Sequence, residues 1–220
     1  MRHFELELEG LRKSLLEMSG LVEAAIYRSV LSLTRRDLKQ ADEVFRNEAR
    51  VNQMEIEIDE VSTRLLALAH PVAKDLRLIA AAIKINSDLE RMGDEAVNIA
   101  GQAVSLIREL PVNPPVDIPH MAGLVESMVR KALDSFVKTD PYIARSVLVS
   151  DDVVDELQNS ALEELTGFMQ NNPQSVPQCV CLMFVTHNLE RIADHATNIA
   201  EDVIYLAEGV DVRHHSEAIR

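Results

Sequence analysis

Tryptophan is absent from the 220 residues, aromatic side chains make up 4% of them, and there are only 7 glycines and 8 prolines. Sheets draw on aromatic and β-branched residues for their strands and on glycine and proline for their turns, so this shortage argues against a β-rich fold. It also removes any Gly-rich phosphate loop. Neither Gly-x-Ser-x-Gly nor His-Glu-x-x-His occurs, which excludes P-loop, acyl-transfer and zincin-type chemistry. The two cysteines, Cys179 and Cys181, sit two apart on a predicted helix, where they diverge and cannot readily bridge. They read as small packed thiols.

Positive charge is scarce as well. Lys+Arg number 22 against 36 Asp+Glu, a formal net charge of −14, which repels phosphate backbones and anionic lipid heads. Direct binding to nucleic acid or to a lipid surface is not expected. The longest apolar runs, Leu78 to Ile83 and Val180 to Val185, fall far short of the roughly 20 residues of a spanning helix. No apolar block resembling a secretory leader follows Met1. A cytoplasmic location is therefore the expectation.

What the chain has in quantity is alanine, leucine, valine, glutamate and arginine, with a hydrophobic content of 47%, the composition of packed helices. Apolar residues recur at steps of three and four from Phe4 through Leu8, Leu11, Leu15, Met18, Val22 and Ile26, predicting a first helix over 3–33. Asp37 can cap a second, in which Val44, Val51, Met54, Ile58, Val61 and Leu65 form a near-heptad seam ending at His70-Pro71. Asp75 supplies negative charge to the first turn of a third helix, which runs to Leu110.

Leu110 to Pro119 holds four of the eight prolines and predicts an extended connector. After it, Met121, Leu124, Val125, Met128, Ala132 and Phe136 give a fourth helix, and Asp140-Pro141 is a cap followed by proline at the first helical position. A fifth carries Val147, Val154, Leu157, Ala161, Leu165 and Phe168 up to Asn171-Asn172-Pro173. The sixth stops at Gly209. Short connections place consecutive helices antiparallel. The expectation is an all-α protein of two tandem three-helix bundles, 1–110 and 120–209, joined by a connector at 111–119 and followed by a loose tail at 210–220.

The two halves share more than helix count. Leu89-Glu90-Arg91-Met92-Gly93-Asp94-Glu95-Ala96-Val97-Asn98-Ile99-Ala100 recurs 100 residues later as Leu189-Glu190-Arg191-Ile192-Ala193-Asp194-His195-Ala196-Thr197-Asn198-Ile199-Ala200. Leu89, Met92, Ala96 and Ile99, and their counterparts, fall on one helix face. Glu90, Asp94 and Asn98, and Glu190, Asp194 and Asn198, follow at four-residue steps on the other, expected to face solvent. Like charges at this spacing repel by about 0.2–0.5 kcal/mol, so a repeated acidic ladder suggests a compensating cation.

Further acid-x-x-x-acid pairs, Glu55/Asp59 and Asp151/Asp155, stand on the middle helix of each half. Neighbouring antiparallel helices could bring each pair to the ladder beside it. Oxygen-only donors suit Mg²⁺, Mn²⁺, Ca²⁺ or iron more than thiolate-held zinc. With no Glu-x-x-His, the ferritin-like di-iron arrangement is disfavoured. Arg91 and Arg191 either brace the carboxylates or pair with Asp94 and Asp194 at i, i+3. His187 and His195 read as surface histidines, and His214-His215 carry less signal still. The one enzymatic chemistry left open is metal-assisted phosphate hydrolysis on helical carboxylates.

At these residues the chain resembles the PhoU family of helical phosphate-signalling regulators. The likeness runs over Val51-Asn52-Gln53-Met54-Glu55-Ile56-Glu57-Ile58-Asp59, Asp75-Leu76-Arg77, both Glu-Arg-x-x-Asp copies, Asp151-Asp152-Val153-Val154-Asp155 and Val212-Arg213-His214. It implies tandem three-helix bundles, metal bound through acid-x-x-x-Asp motifs, and no catalysis. The metal candidates it carries over are Glu55, Asp59, Glu90 and Asp94 in the first half and Asp151, Asp152, Asp155, Glu190 and Asp194 in the second. It also implies a negative regulator between the ATPase subunit of a phosphate ABC transporter and a sensor histidine kinase, often as a homo-oligomer. The departures are Ala193, where glycine is common, and Asn159, which stands where the first half has Asp59.

Overall fold

A computed structural model describes residues 2–69 and 73–212. Among them are six long helices and no strand: α1 (Arg2–Arg35), α2 (Leu38–Ala69), α3 (Ala73–Arg108), α4 (Ile118–Lys138), α5 (Pro141–Asn171) and α6 (Val176–Glu208). A 3₁₀ turn at Pro173–Ser175, which the periodicity does not reveal, leads into α6. The close of α2 at His70-Pro71 and the tail from Arg213 onward lie outside the described residues.

The apolar stripes read from the sequence are the core. Leu11, Leu15, Met18, Val22 and Ile26 of α1, Val51, Met54, Ile58 and Leu65 of α2, Val125, Met128, Val129 and Phe136 of α4, and Val147, Val154, Ala161 and Leu165 of α5 are all buried. Residues at i, i+3, i+4 and i+7 share one helix face, and burying a Leu, Ile or Val side chain stabilises the fold by about 1.5–3 kcal/mol. Cys179 is buried and free, while Cys181 is free and only partly covered.

The hairpin turns repeat between halves. Arg36 and Thr139 both adopt left-handed backbone, at φ 51 and φ 50. Asp37 and Asp140, which follow them, donate their backbone N–H to Ser32 and Ser135 carbonyls at 3.0 and 2.9 Å. The Asp37 carboxylate accepts from Lys39 N at 2.9 Å, and that of Asp140 from Tyr142 N at 2.8 Å, so each satisfies a free N–H in the first turn of the next helix. Gly209 takes φ 73 and returns its N–H to Tyr205 O at 2.8 Å, the left-handed stop its position predicts.

Two expectations about the ends need correcting. Helix α4 begins at Ile118 rather than after Pro119, because the Asp117 side chain accepts from His120 N and proline fits the first turn. The tail is not loose from residue 210, since Val212 is buried in the core.

Helices α3 and α6 form the centre. Cross-links between them run Lys84–Asp202, Asp88–Asn198, Asp88–His195 and Glu95–Arg191, rising along one helix as they fall along the other, so the two are antiparallel. On the outside, α1 and α2 pack on α3, and α4 and α5 pack on α6, with α1 also touching α4. A helix covered on several sides must be lined with small residues where its neighbours approach. The buried set of α3 accordingly includes Ala81, Ala82, Gly93, Ala96, Ala100 and Ala103.

Candidate metal centre

Each acidic ladder lies where a middle helix packs against a central one. In the second half, α5 carries Asp151 and Asp155 and α6 carries Glu190 and Asp194. These carboxylates act on one another through their charge: Asp151 feels Asp155, Asp194 and Glu190, and Asp194 feels Asp155. Burial, followed by these like charges, pushes the Asp151 carboxyl up to about 6 from 3.8. Glu190 and Asp194 are raised in the same way, burial first, with Arg191 and His187 partly offsetting it. Asp151 Oδ1 and Glu190 Oε2 are buried and accept no hydrogen bond. Asp152 is exposed on the flank and adds only its charge to Asp151.

The first half gathers fewer of its candidates. Burial raises Glu55, which also feels Asp59 and Asp94, and raises Glu90, which feels Asp94 and Glu55. Asp59 is drawn aside: Asn86 Nδ2 donates to its Oδ1 at 3.0 Å and to the Glu55 carbonyl at 2.9 Å. The position opposite Asp94 that would match Asp151 is Val51, a core residue 3% exposed. The acids on α2 therefore sit one turn out of step with those on α5.

The expectation that the ladders face open solvent is half right. Asp94 and Asp194 are exposed, whereas Glu90 and Glu190 are partly covered by the middle helices. His195 is not a surface histidine at all. It is 7% exposed, and its Nδ1 lies 2.8 Å from Asp88 Oδ1 across the α3–α6 seam. Arg191 pairs with neither Asp194 nor the ladder but with buried Glu95 at 2.8 Å. Asn98 Nδ2 also donates to Glu95, at 3.2 Å.

This central polar network, Asp88, Glu95, Arg191, His195 and Asn198, is what sequence reasoning missed. One-face periodicity gives no signal for it, since these residues lie off the apolar stripe of Leu89, Met92, Ala96 and Ile99 and its counterpart.

Among the described residues no group of three or more His, Cys, Asp or Glu side chains is already arranged to hold a metal ion. The donor set still fits one. The second half offers four carboxylates in two facing pairs, two of whose oxygens are buried without a hydrogen bond, and a hard divalent cation would satisfy them.

Comparison with known proteins finds the same two-fold repeat. The model of the PhoU domain matches residues 15–103 and again 118–203, the two halves of the repeat. The chain belongs to the PhoU family.

The PhoU homolog of Pseudomonas putida, called a phosphate-specific transport system accessory protein, is 42% identical over 97% of this chain and 84% of its own. That of Aquifex aeolicus is 40% identical over 94% of each. The crystal structure of PhoU from Pseudomonas aeruginosa superposes with a TM-score of 0.91 at 40% identity, covering 94% of this chain and all of that one. The phosphate transport system regulatory protein PhoU from Streptococcus pneumoniae matches with a TM-score of 0.86 at 30% identity, over 95% of this chain and 99% of its own. The fold is thus the all-α PhoU architecture with its two repeats, and among the described residues no helix is long and apolar enough to cross a membrane.

Proposed function

We propose that this PhoU-family protein is a negative regulator of phosphate uptake and phosphate-starvation signalling. It acts as a cytoplasmic, metal-binding adaptor, as a homo-oligomer, between the ATPase subunit of a phosphate ABC transporter and a sensor histidine kinase. The observation that carries the reading is the pair of carboxylate clusters, one in each PhoU repeat and each partly covered and partly exposed, on a chain whose relatives are named accessory proteins of phosphate transport.

Glu55, Glu90 and Asp94 would hold an ion in the first half, with Asp59 released from Asn86 to join them. Asp151, Asp155, Glu190 and Asp194 would hold one in the second, and Asp152 would stay on the rim. A bound cation supplies charge cancellation and open coordination positions there. Without it these surfaces repel an acidic partner; with the charge cancelled, an adjoining face can dock. With no helix among the described residues able to span a membrane and a charge of −14, the route to a membrane complex is protein contact.

Recovery of the ATPase subunit and of the kinase's cytoplasmic domain by the purified protein, with and without chelator, tests this. Wild type should lose both partners in chelator, and Glu190→Ala/Asp194→Ala should lose them without it. Equal recovery in all four conditions would separate the metal from signalling. Loss of the gene should leave starvation genes on in phosphate-rich medium, and normal repression there would overturn the regulatory reading. Incubation with nucleotides and Mg²⁺ or Mn²⁺ should release no phosphate.

A further inference from the structure

The connector between the repeats closes over a cavity of about 330 Å³. Leu33 and Leu106 reach it from the last turns of α1 and α3, Ile118 and Leu182 from the early turns of α4 and α6, and Val112 and Pro114 cover it from the connector. Both repeats therefore wall it, and a boundary between two units is a common place for a ligand site. Among the described residues that line it, only Thr34, Arg36 and Asn113 are polar and none is acidic, on a chain with 36 Asp and Glu.

Arg36 is the one cation in that lining. Its Nη2 donates to the Ile107 and Glu109 carbonyls at 3.0 and 2.7 Å. Carbonyls at the C-terminal end of α3 would repel an anion, and this contact offsets them. Two of the five guanidinium N–H groups are spent there. The three on Nε and Nη1 meet neither a hydrogen-bond acceptor nor a carboxylate among the described residues. Thr34 adds no donor, since its hydroxyl is given to Val30 O at 2.9 Å. At the matching turn of the second repeat the left-handed residue is Thr139, so this cation belongs to the first repeat alone.

We propose that this cavity binds a medium-chain carboxylate, with its alkyl chain between the two bundles beneath the connector and its head on Arg36 Nε and Nη1. At about 30 Å³ for each water-sized group, the space takes about ten non-hydrogen atoms, the size of octanoate. The apolar walls account for the chain. One guanidinium without a counter-charge matches one negative charge. A phosphate monoester head, at roughly −1.5 to −2, would bring an excess into a chain that is itself at −14. Because both repeats wall the cavity, a bound chain holds them in one arrangement. None of these residues belongs to either carboxylate cluster, so the site stands apart from metal binding.

Titration calorimetry and thermal denaturation of the full chain with octanoate, 1-octanol, octyl phosphate and acetate test this. Wild type should take up one octanoate per chain with a raised thermal midpoint, bind octanol about tenfold more weakly or worse, bind octyl phosphate more weakly than octanoate, and take up no acetate. Arg36→Met keeps an apolar stem without the charge. It should lose about tenfold or more in octanoate affinity while octanol binding changes less than about twofold; Arg36→Lys, which keeps the charge, should lose less. Val112→Trp fills the cavity from the connector and should lose both ligands, with the helical circular dichroism unchanged. Octanol or octyl phosphate binding as tightly as octanoate, or Arg36→Met binding octanoate as wild type does, would overturn the carboxylate assignment. Octanoate uptake that is absent in wild type, or that survives Val112→Trp, would overturn the site itself.

Discussion

Position 51 is valine in the first half and its counterpart, position 151, is aspartate. Val51 is part of the core, its Cγ1 3.3 Å from where a Cβ on Gly93 would sit. Asp151 puts a carboxylate at that place, half-buried and raised to about 6, with one oxygen unpartnered. One repeat has used this spot for packing and the other for charge. Duplication preserves the backbone, which needs only helix-compatible residues, and leaves the helix–helix groove free to specialise.

The strongest way to break that contrast is to force the first half into the second's solution. Val51→Asp would place a carboxylate among Gly93, Val22 and the rest of the α1–α3 packing, and lose the valine's buried methyls. We expect a loss of about 3–5 kcal/mol in urea denaturation in chelator. Recovery of part of that loss on adding Mn²⁺ would show that the groove, and not only the residue, can be converted. A cost below about 1 kcal/mol would mean Val51 is less confined than its burial indicates.

The seam between α3 and α6 offers a second contrast, Glu95 against His195. Each stands at the same place in its repeat, yet Glu95 takes Arg191 and Asn98 as partners while His195 meets Asp88. His195→Glu would make the two halves alike at this position and leave Asp88, at 8% exposure, facing a second buried carboxylate. The expected loss is about 2–4 kcal/mol, read as a lowered thermal midpoint. His195→Gln keeps a donor for Asp88 and should cost about 1 kcal/mol.

The fold was legible in the sequence and the seam was not, for one physical reason. Periodicity reports which residues lie on one face of a helix, and that suffices for α1, α2, α4 and α5, each of which buries one stripe. Helices α3 and α6 are covered on several sides, so their polar residues Asp88, Glu95 and His195 fall at positions that a one-face reading gives to solvent. The repeated Glu-Arg-x-x-Asp segment did mark the acids that gather. It could not show that Asn86 diverts Asp59, because that contact joins residues 27 apart on two helices. Nor could it show that Arg191 reaches across to α3.

A smaller effect of opposite sign is expected from reversing the first experiment. Asp151→Val removes a carboxylate that burial holds at about 6, above its ordinary 3.8. A raised folded-state value means the folded protein keeps a proton that the unfolded chain gives up. The stability from the protonated form is then complete below about pH 4 and lost as pH rises towards 6 and beyond. Metal-free wild type should thus be more stable near pH 4.5 than at pH 7.5, and Asp151→Val should flatten that slope. At pH 7.5 the variant should gain about 1–2 kcal/mol, the full shift being discounted because Asp151 is only half-buried. With metal the sign reverses, since the ion needs the ionised form, and Asp151→Val should lose second-half binding. A metal-free slope of the opposite sign would place Asp151 in a better-solvated site than the groove between α5 and α6.

The smallest expected effect concerns the residues facing those two positions, Gly93 and Ala193. Alanine in a helix interior is favoured over glycine by about 1 kcal/mol. Against that, a Cβ at 93 would meet Val51 Cγ1 at 3.3 Å and Val22 Cγ2 at 4.0 Å, a tight contact with a stiff β-branched side chain. The two effects oppose each other, so Gly93→Ala alone should change stability by less than about 0.5 kcal/mol. In a Val51→Ala background the contact is gone and the helical preference acts alone, so the same substitution should then stabilise by about 1 kcal/mol. The difference is the coupling between the two positions, and a double-mutant cycle measures it. Additive effects would mean that Gly93 is not glycine on account of Val51. The second half would then hold Ala193 without needing Asp151 to make room for it.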